Sequence, residues 1–220
     1  MASVTSSPTF ADNEPAGGGT VDWTNTSNIL SDDHNYAVAD MVASDQTNYL
    51  EARAFGFEIP DGSMIRGVEI AWTRRKNTEA GEVKDQGVFL TIGPGVSVAG
   101  SIGADPAIWT TTQTTYVYGN SSDLWSEPSI DVDVVNSDDF GSLLLVLENS
   151  GTDPVEAWVD FCEITVYYSG PVEDGCETVI FSQSSVRSAN DFAKTQTFVG
   201  VVQRDTSRIS AQIAEGRYGR

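Results

Sequence analysis

The chain of 220 residues has one histidine, His34, and two cysteines, Cys162 and Cys176. With so little imidazole and thiol, a zinc site of the His/Cys kind has no ligand set, and no disulfide framework can staple the fold. Cys162 sits in an apolar strand pattern, so a buried thiol is expected there; a bridge to Cys176 is the open alternative. No run of about 18 apolar residues occurs, so no membrane-spanning helix is expected. The first residues, Met1-Ala-Ser-Val-Thr-Ser-Ser7, carry neither a basic nor an apolar stretch, and a secretion signal is not expected. Basic residues are scarce too: 12 Lys and Arg stand against 32 Asp and Glu, a net charge of −20. Such a charge repels phosphate backbones and anionic membrane surfaces, which argues against both as partners, and it favours solubility at high local copy number. The nucleophile motif G-x-S-x-G is missing. Gly17-Gly-Gly19 precede neither Lys-Ser/Thr nor a helix pattern, so there is no phosphate cradle. The chain is accordingly expected to carry no catalytic residues and no cofactor.

The charge that is present is unevenly placed. Residues 1–170 hold 26 acidic and 6 basic residues, a net of −20, while residues 171–220 hold six of each. All five tryptophans (Trp23, Trp72, Trp109, Trp125, Trp158) and all eight prolines lie at or before Pro171. The division predicts an acidic globular body over 21–170, a flexible N-terminal segment over 1–20 ending in Gly17-Gly-Gly-Thr20, and a C-terminal assembly arm over 171–220.

Within the body, strand signals recur between turn signals. Tyr49–Phe57 alternates loosely and stops at Pro60-Asp-Gly62, a turn sequence. Met64–Trp72 sets Met64, Val68, Ile70 and Trp72 on one face, with Arg74, Arg75 and Lys76 expected as its solvated end. Val88, Leu90 and Ile92 share a side, and Thr110–Tyr118 suits a half-exposed strand. Ser129–Val134 alternates most clearly, with Asp131 and Asp133 on the wet side. Gly141–Leu147 is a short continuous apolar run. Ala157–Tyr168 alternates again, with Trp158, Cys162, Ile164, Val166 and Tyr168 on one side. Eight or more short strands with almost no helical periodicity predict an all-β fold, a jelly-roll-like antiparallel β-sandwich with an extended C-terminal arm.

Four groups of residues could carry chemistry. His34 beside Asp32 and Asp33 is a loop histidine in the plain reading and a carboxylate-oriented base in the other. The acid pairs Asp131/Asp133, Asp138/Asp139 and Glu156/Asp160 meet the minimum for glycoside hydrolysis, but acids are so abundant that none is informative. Ser31-Asp-Asp33, Asn136–Asp139 and Asn149–Asp153 offer hard oxygens for a structural Ca²⁺, without the spacing of an EF-hand. Trp109, Tyr116, Tyr118 and Trp125 cluster in sequence; they form either a stacking platform for a glycan or core and subunit contacts. In the arm, Phe192, Phe198, Val201, Arg204, Arg208, Ile209, Ile213 and Arg217 are too many apolar and basic groups for a free tail, and too few for a core, so partner binding is expected of them. Edge strands and this arm point to a homo-oligomer.

The residues Trp23-Thr-Asn25, Asn28–Asp33 with Tyr36-Ala37, Ala54–Pro60, Ile65–Ile70, Asp123-Leu-Trp125, Phe140-Gly141, and Asp160 with Ile164–Tyr168 together resemble a β-sandwich module that recurs in structural proteins of tailed-bacteriophage virions. The resemblance covers roughly 21–170. It implies a non-enzymatic virion protein made in the host cytoplasm, with sister copies and other capsid or tail proteins as partners. A capsid decoration protein, of the cement or head-fibre kind, is the first expectation. A tail, baseplate or fibre-adaptor component and a carbohydrate-binding module are the alternatives.

Overall fold

The computed structural model describes residues 1–42, 44–93, 98–103, 108–127, 130–148, 154–171, 180–181 and 198–199. It comprises two compact units, Met1–Pro171 and Val172–Arg220. In the second, β11 (Ile180–Phe181) pairs antiparallel with β12 (Phe198–Val199). The other arm residues named above, and Cys176, lie outside the described residues.

The first unit is a jelly-roll-like sandwich of two antiparallel sheets. The first sheet orders β1 (Ala2–Ser6), β10 (Val155–Ser169), β5 (Met64–Lys76) and β8 (Thr114–Gly119), with β3 (Ala37–Met41) also on β10. The second orders β2 (Phe10–Glu14), β4 (Tyr49–Arg53), β9 (Phe140–Glu148), β6 (Val83–Ile92) and β7 (Val98–Gly103). Except between β6 and β7, each consecutive pair of strands from β1 to β10 falls in different sheets, so the chain wraps the core rather than meandering along one face. Period-two alternation dictates what is buried. Val68, Ile70 and Trp72 of β5, Val88 and Leu90 of β6, Leu144 and Val146 of β9, and Ile164 and Val166 of β10 meet in one core. Full burial of each such aliphatic side chain contributes about 1.5–3 kcal/mol.

Several expectations are corrected by this arrangement. The N-terminal segment is not a loose lead: β1 pairs Ala2–Ser6 with Tyr168–Ile164, and β2 pairs Phe10–Glu14 with Arg53–Tyr49. Small polar residues suffice because each of these strands lies at an edge, with one side wet. The strand expected over Tyr49–Phe57 ends at Arg53; Phe55, Phe57 and Ile59 are buried in the crossing from the second sheet to the first. There Phe57 stacks with Phe55 and meets Phe140 edge-on, at centroid distances of 6.0 and 5.9 Å.

The alternation at Ile130–Val134 is not a strand. Asp131 caps a four-residue helix, α1 (Val132–Val135), its side chain accepting from the Val134 N–H at 2.9 Å. An Asp at that position satisfies a free amide of the first turn, which outweighs the β preference of three valines. Asp133 then lies in the helix rather than on a sheet face.

Arg74 and Lys76 are not solvated: they are 1% and 4% exposed. Both follow Trp72 on the core side of β5, at one end of the sandwich. Lys76 donates to the Glu79 and Gly81 carbonyls at 3.2 and 2.8 Å. Arg74 crosses between sheets to Asp85 of β6, described below.

Candidate functional site

The Trp158 region of β10 breaks the parity of its own strand. Val159 lies opposite Arg74 and Phe161 opposite Thr73, leaving Asp160 as an extra, bulged residue. Bulges re-aim side chains. Here residues 155, 157 and 159 point inward before the bulge, and 162, 164 and 166 after it. Trp158, expected on the face of Cys162, therefore stands on the opposite, outer face of the sheet. Three paired residues form a row across that face, Val38 of β3, Trp158 of β10 and Arg75 of β5, and Gln113, one residue before β8, continues it.

A polar and aromatic cluster is built on this row. Tyr36 packs on Trp158 with centroids 4.9 Å apart. The Arg75 guanidinium lies over both rings, 4.6 Å from Trp158 and 5.6 Å from Tyr36. The Trp158 indole N–H donates to Glu156 Oε2 at 2.8 Å. Tyr36 Oη donates to Gln113 Oε1 at 2.8 Å, and Gln113 Nε2 donates to Asp160 Oδ2 at 2.7 Å. Asp160 Oδ1 accepts the His34 backbone N–H at 2.9 Å. The bulged carboxylate, buried at 0% exposure, thus ties the 31–36 loop to two strands of the sheet.

Burial, and then the neighbouring Asp32 carboxyl, push the Asp160 carboxyl above the usual range; donation from Gln113 and His34 pulls the other way. His34 is held at φ 64°, in the left-handed region. Its side chain is 76% exposed, with Nδ1 3.1 Å from Gln113 Oε1 and 3.6 Å from Asp160 Oδ2. Among the described residues the hydrogen-bond partner given for the ring is the Gln113 side chain, with the Asp160 carboxylate beside it.

Asp32, His34 and Asp160 bring potential metal-ligating atoms within 4.8 Å of one another. Ca²⁺ takes six to eight oxygens. This set supplies two carboxylates, and both oxygens of Asp160 already accept N–H donors, so it fits Ca²⁺ poorly. In the 136–139 loop, Asn136 spends its amide on the Ile59 backbone, at 3.0 and 2.9 Å. The 149–153 loop lies outside the described residues.

Of the two roles open to the aromatics at 109–125, glycan platform or core, the structure favours the core. Trp109, Tyr118 and Trp125 are 1%, 5% and 2% exposed, and the half-buried Tyr116 packs against the core. Trp109 and Tyr118 serve the interior ion pair. Asp85 accepts from Arg74 Nε at 3.0 Å, from the Trp109 indole at 2.9 Å, and from Arg74 Nη2 and Tyr118 Oη. The Arg74 guanidinium also lies 3.7 Å from the Tyr116 ring centroid and 4.7 Å from that of Trp109. Trp125 turns back at φ 56° and donates its indole N–H to the Val68 carbonyl at 3.0 Å. These rings fold inward because each finds a partner for its polar end there.

On the outer face of the second sheet, Phe10, Asp12, Glu14, Glu51, Arg53, Gly93 and Asp139 line a cleft of about 210 Å³. Burial, with help from Glu14, Asp12 and Asp139, raises the Glu51 carboxyl, against the pull of Arg53. Arg53 is already engaged, 3.7 Å over the Phe10 ring and 3.7 Å from Glu51. Of the acid pairs, Glu156 and Asp160 belong to the Trp158 cluster, while Asp131 and Asp133 line an open cleft with Asp61, Gly62, Ser63 and Val132. Cys162 is a free thiol, wholly buried, and burial pushes its pKa well above the ordinary value.

Tyr36, Arg75, Gln113 and Trp158 were not among the residues expected to carry a site. The available signal was Asp160, an acid set inside an otherwise apolar alternation.

No protein-family model matches the chain, and no curated protein matches it. Among solved structures it is similar to one described as "CBM4 structure and function", at 12% identity and a TM-score of 0.34, covering 74% of this chain and 92% of that one. It is also similar to a protein from Bacteroides thetaiotaomicron VPI-5482, provisionally named as sugar binding, at 12% identity and a TM-score of 0.33, covering 76% and 88%.

Proposed function

We propose that the chain is a non-enzymatic structural protein of a tailed-phage virion, with residues 1–171 as an exposed body and the remainder as its assembly element. What supports this reading is where the residues of the resemblance fall. Trp23, Ile29, Ala37, Phe55, Phe57, Ile59, Ile65, Val68, Ile70, Trp125, Phe140, Ile164 and Val166 are all core residues. Asp160 is the bulge. Asp123 accepts the Trp125 amide at 2.7 Å, setting the turn that buries that ring. The apolar members of the short matches thus share one core, while Thr24, Asn25, Ser31, Asp32, Asp33, Glu58 and Arg66 of the same matches are exposed. An acidic sandwich of this kind suits dense display, because neighbouring copies repel non-specific contact. Capsid decoration is the first assignment; a tail, baseplate or fibre-adaptor position is the second.

The test is immunogold labelling and mass spectrometry of purified tailed particles from cultures carrying the gene. Regular labelling of heads supports decoration, and labelling of tails supports the second assignment. Intact particles that lack the chain overturn the reading.

A further inference from the structure

The outer face of the first sheet holds unspent recognition groups around Trp158. Gln113 and Asp160 are engaged within the cluster and act as its frame. Arg75 is not engaged in the same way: its Nε is buried without a hydrogen-bond partner, and no carboxylate among the described residues pairs with it. An unpaired arginine is unexpected in a body of net charge −20. Its guanidinium is oriented instead by Trp158 and Tyr36, leaving its planar fork of donors directed by two rings. Carboxylates flank the cluster: exposed Asp32 lies within 4.8 Å of His34 and Asp160, and Glu156 accepts the Trp158 indole through Oε2. The row from Val38 to Gln113 crosses three strands and the lead into β8, about 14 Å at the usual spacing.

We infer that the Trp158–Tyr36–Arg75 face binds a neutral saccharide. Trp158 and Tyr36 pack on each other under Arg75, and the part of these half-buried rings left to solvent offers apolar surface to the C–H groups of a sugar. Fixed planar donors and nearby carboxylates match hydroxyls, which both donate and accept. Charge selects against the anionic alternative, because Asp32, Asp40, Glu156 and Asp160 surround the patch and the body repels anions. The site lies away from Trp109 and Trp125, which are sealed in the core.

The experiment uses the full chain and needs no virion, so its outcome is separable from that of the virion reading. Trp158 is the only one of the five tryptophans that is not buried; the others are 4% exposed or less. Acrylamide quenching therefore reports on this face. The probes are cellohexaose, laminarihexaose and chitohexaose, with polygalacturonate as the anionic comparison. The expected result is that at least one neutral hexasaccharide shields the quenchable tryptophan saturably. Titration by calorimetry should then show about tenfold or greater weakening in Arg75→Met and in Trp158→Phe, with near-ultraviolet dichroism preserved. Arg75→Lys separates loss of the planar fork from loss of charge and should weaken binding as well. The inference is overturned if no neutral hexasaccharide binds, if polygalacturonate alone binds, or if binding survives both Arg75→Met and Trp158→Phe.

Discussion

Trp158 and Cys162 lie four residues apart on one strand and face opposite sides of the sheet. In an unbroken strand they would share a face, since side chains alternate with period two. The extra residue between them, Asp160, absorbs the difference: Trp158 pairs with the outward Arg75, and Cys162 with the inward Trp72. One bulged carboxylate thereby sets both the aromatic patch and the loop that frames it.

Asp160 gives a prediction about pH. Its folded-state pKa is raised, by burial first and by Asp32 second. The folded chain therefore holds that proton to higher pH than the unfolded chain does. Stability contributed by this group is greatest at low pH and declines as pH rises from the unfolded value, about 3.9, through the folded one. Asp160→Asn removes the titration, at the cost of a constant offset from one mismatched donor. Urea unfolding of both proteins at pH 3 and pH 7, followed by tryptophan fluorescence, should show the variant gaining on the wild type at the higher pH. An identical difference at the two pH values would contradict the argument. Asp160→Ala, which strips the acceptor from two N–H groups, should cost about 1–3 kcal/mol.

The interior pair makes a second, larger prediction. Arg74 and Asp85 join the two sheets, and both side chains are fully shielded from solvent. Removing one partner leaves a buried charge unpaired, so Asp85→Ala should destabilise by about 3–5 kcal/mol, whereas the apolar double substitution Arg74→Met with Asp85→Leu should recover most of that. Denaturant unfolding of Arg74→Met, Asp85→Leu and their double closes the cycle, with Asp85→Ala as the reference for the unpaired charge. A double variant no better than Asp85→Ala would mean that Tyr118 and Trp109, which also bond to Asp85, depend on the carboxylate itself.

Much of the sandwich was legible in the sequence, because strict alternation under a dry core permits one reading. Val88 with Leu90, and Val68 with Ile70 and Trp72, are such cases. What was illegible has common physical causes. Arg74 and Lys76 look like a wet strand end until Asp85, and the Glu79 and Gly81 carbonyls, are brought to them as the chain crosses from β5 in one sheet to β6 in the other. Val132 and Val134 look like strand residues until Asp131 caps them as a helix. Ala2–Ser6 looks like a tail until Ile164–Tyr168 supplies a partner. The Trp158 cluster was hidden by a single inserted residue, which no periodicity count detects. Only β1 waits on a partner distant in sequence; the cap, the bulge and the partners of Arg74 and Lys76 are near in sequence but leave no mark on the apolar period.

The buried rings carry a third prediction. Trp109→Ala removes a donor to Asp85 and a ring beside Arg74, and Trp125→Ala empties the space beneath the Val68 carbonyl. Each should cost about 3–5 kcal/mol, the usual penalty for truncating a large buried aromatic. The checking measurement is the thermal midpoint by far-ultraviolet dichroism. Variants that melt with the wild type would return these rings to the surface role first considered for them.

The N-terminal strands carry the fourth. Deleting residues 1–14 strips an edge from each sheet at once, since β1 lies on β10 and β2 on β4. It also removes Asn13, whose side chain accepts the Trp23 amide at 2.8 Å and donates to Asp22 at 2.9 Å. Each net backbone hydrogen bond is worth about 0.5–1.5 kcal/mol, and ordering the segment offsets part of the sum, so a loss of about 2 kcal/mol or more is expected. The newly bared edges at Ile164–Tyr168 and Tyr49–Arg53 are unpaired strand templates, so the truncated chain should also self-associate. Urea midpoints and light scattering of the full and shortened chains test both effects. If the midpoints coincide and both chains have the same solution mass, the first fourteen residues contribute nothing to the sandwich. The paired registers argue against that outcome, because ten consecutive cross-strand partners, five in each sheet, would have to be energetically idle.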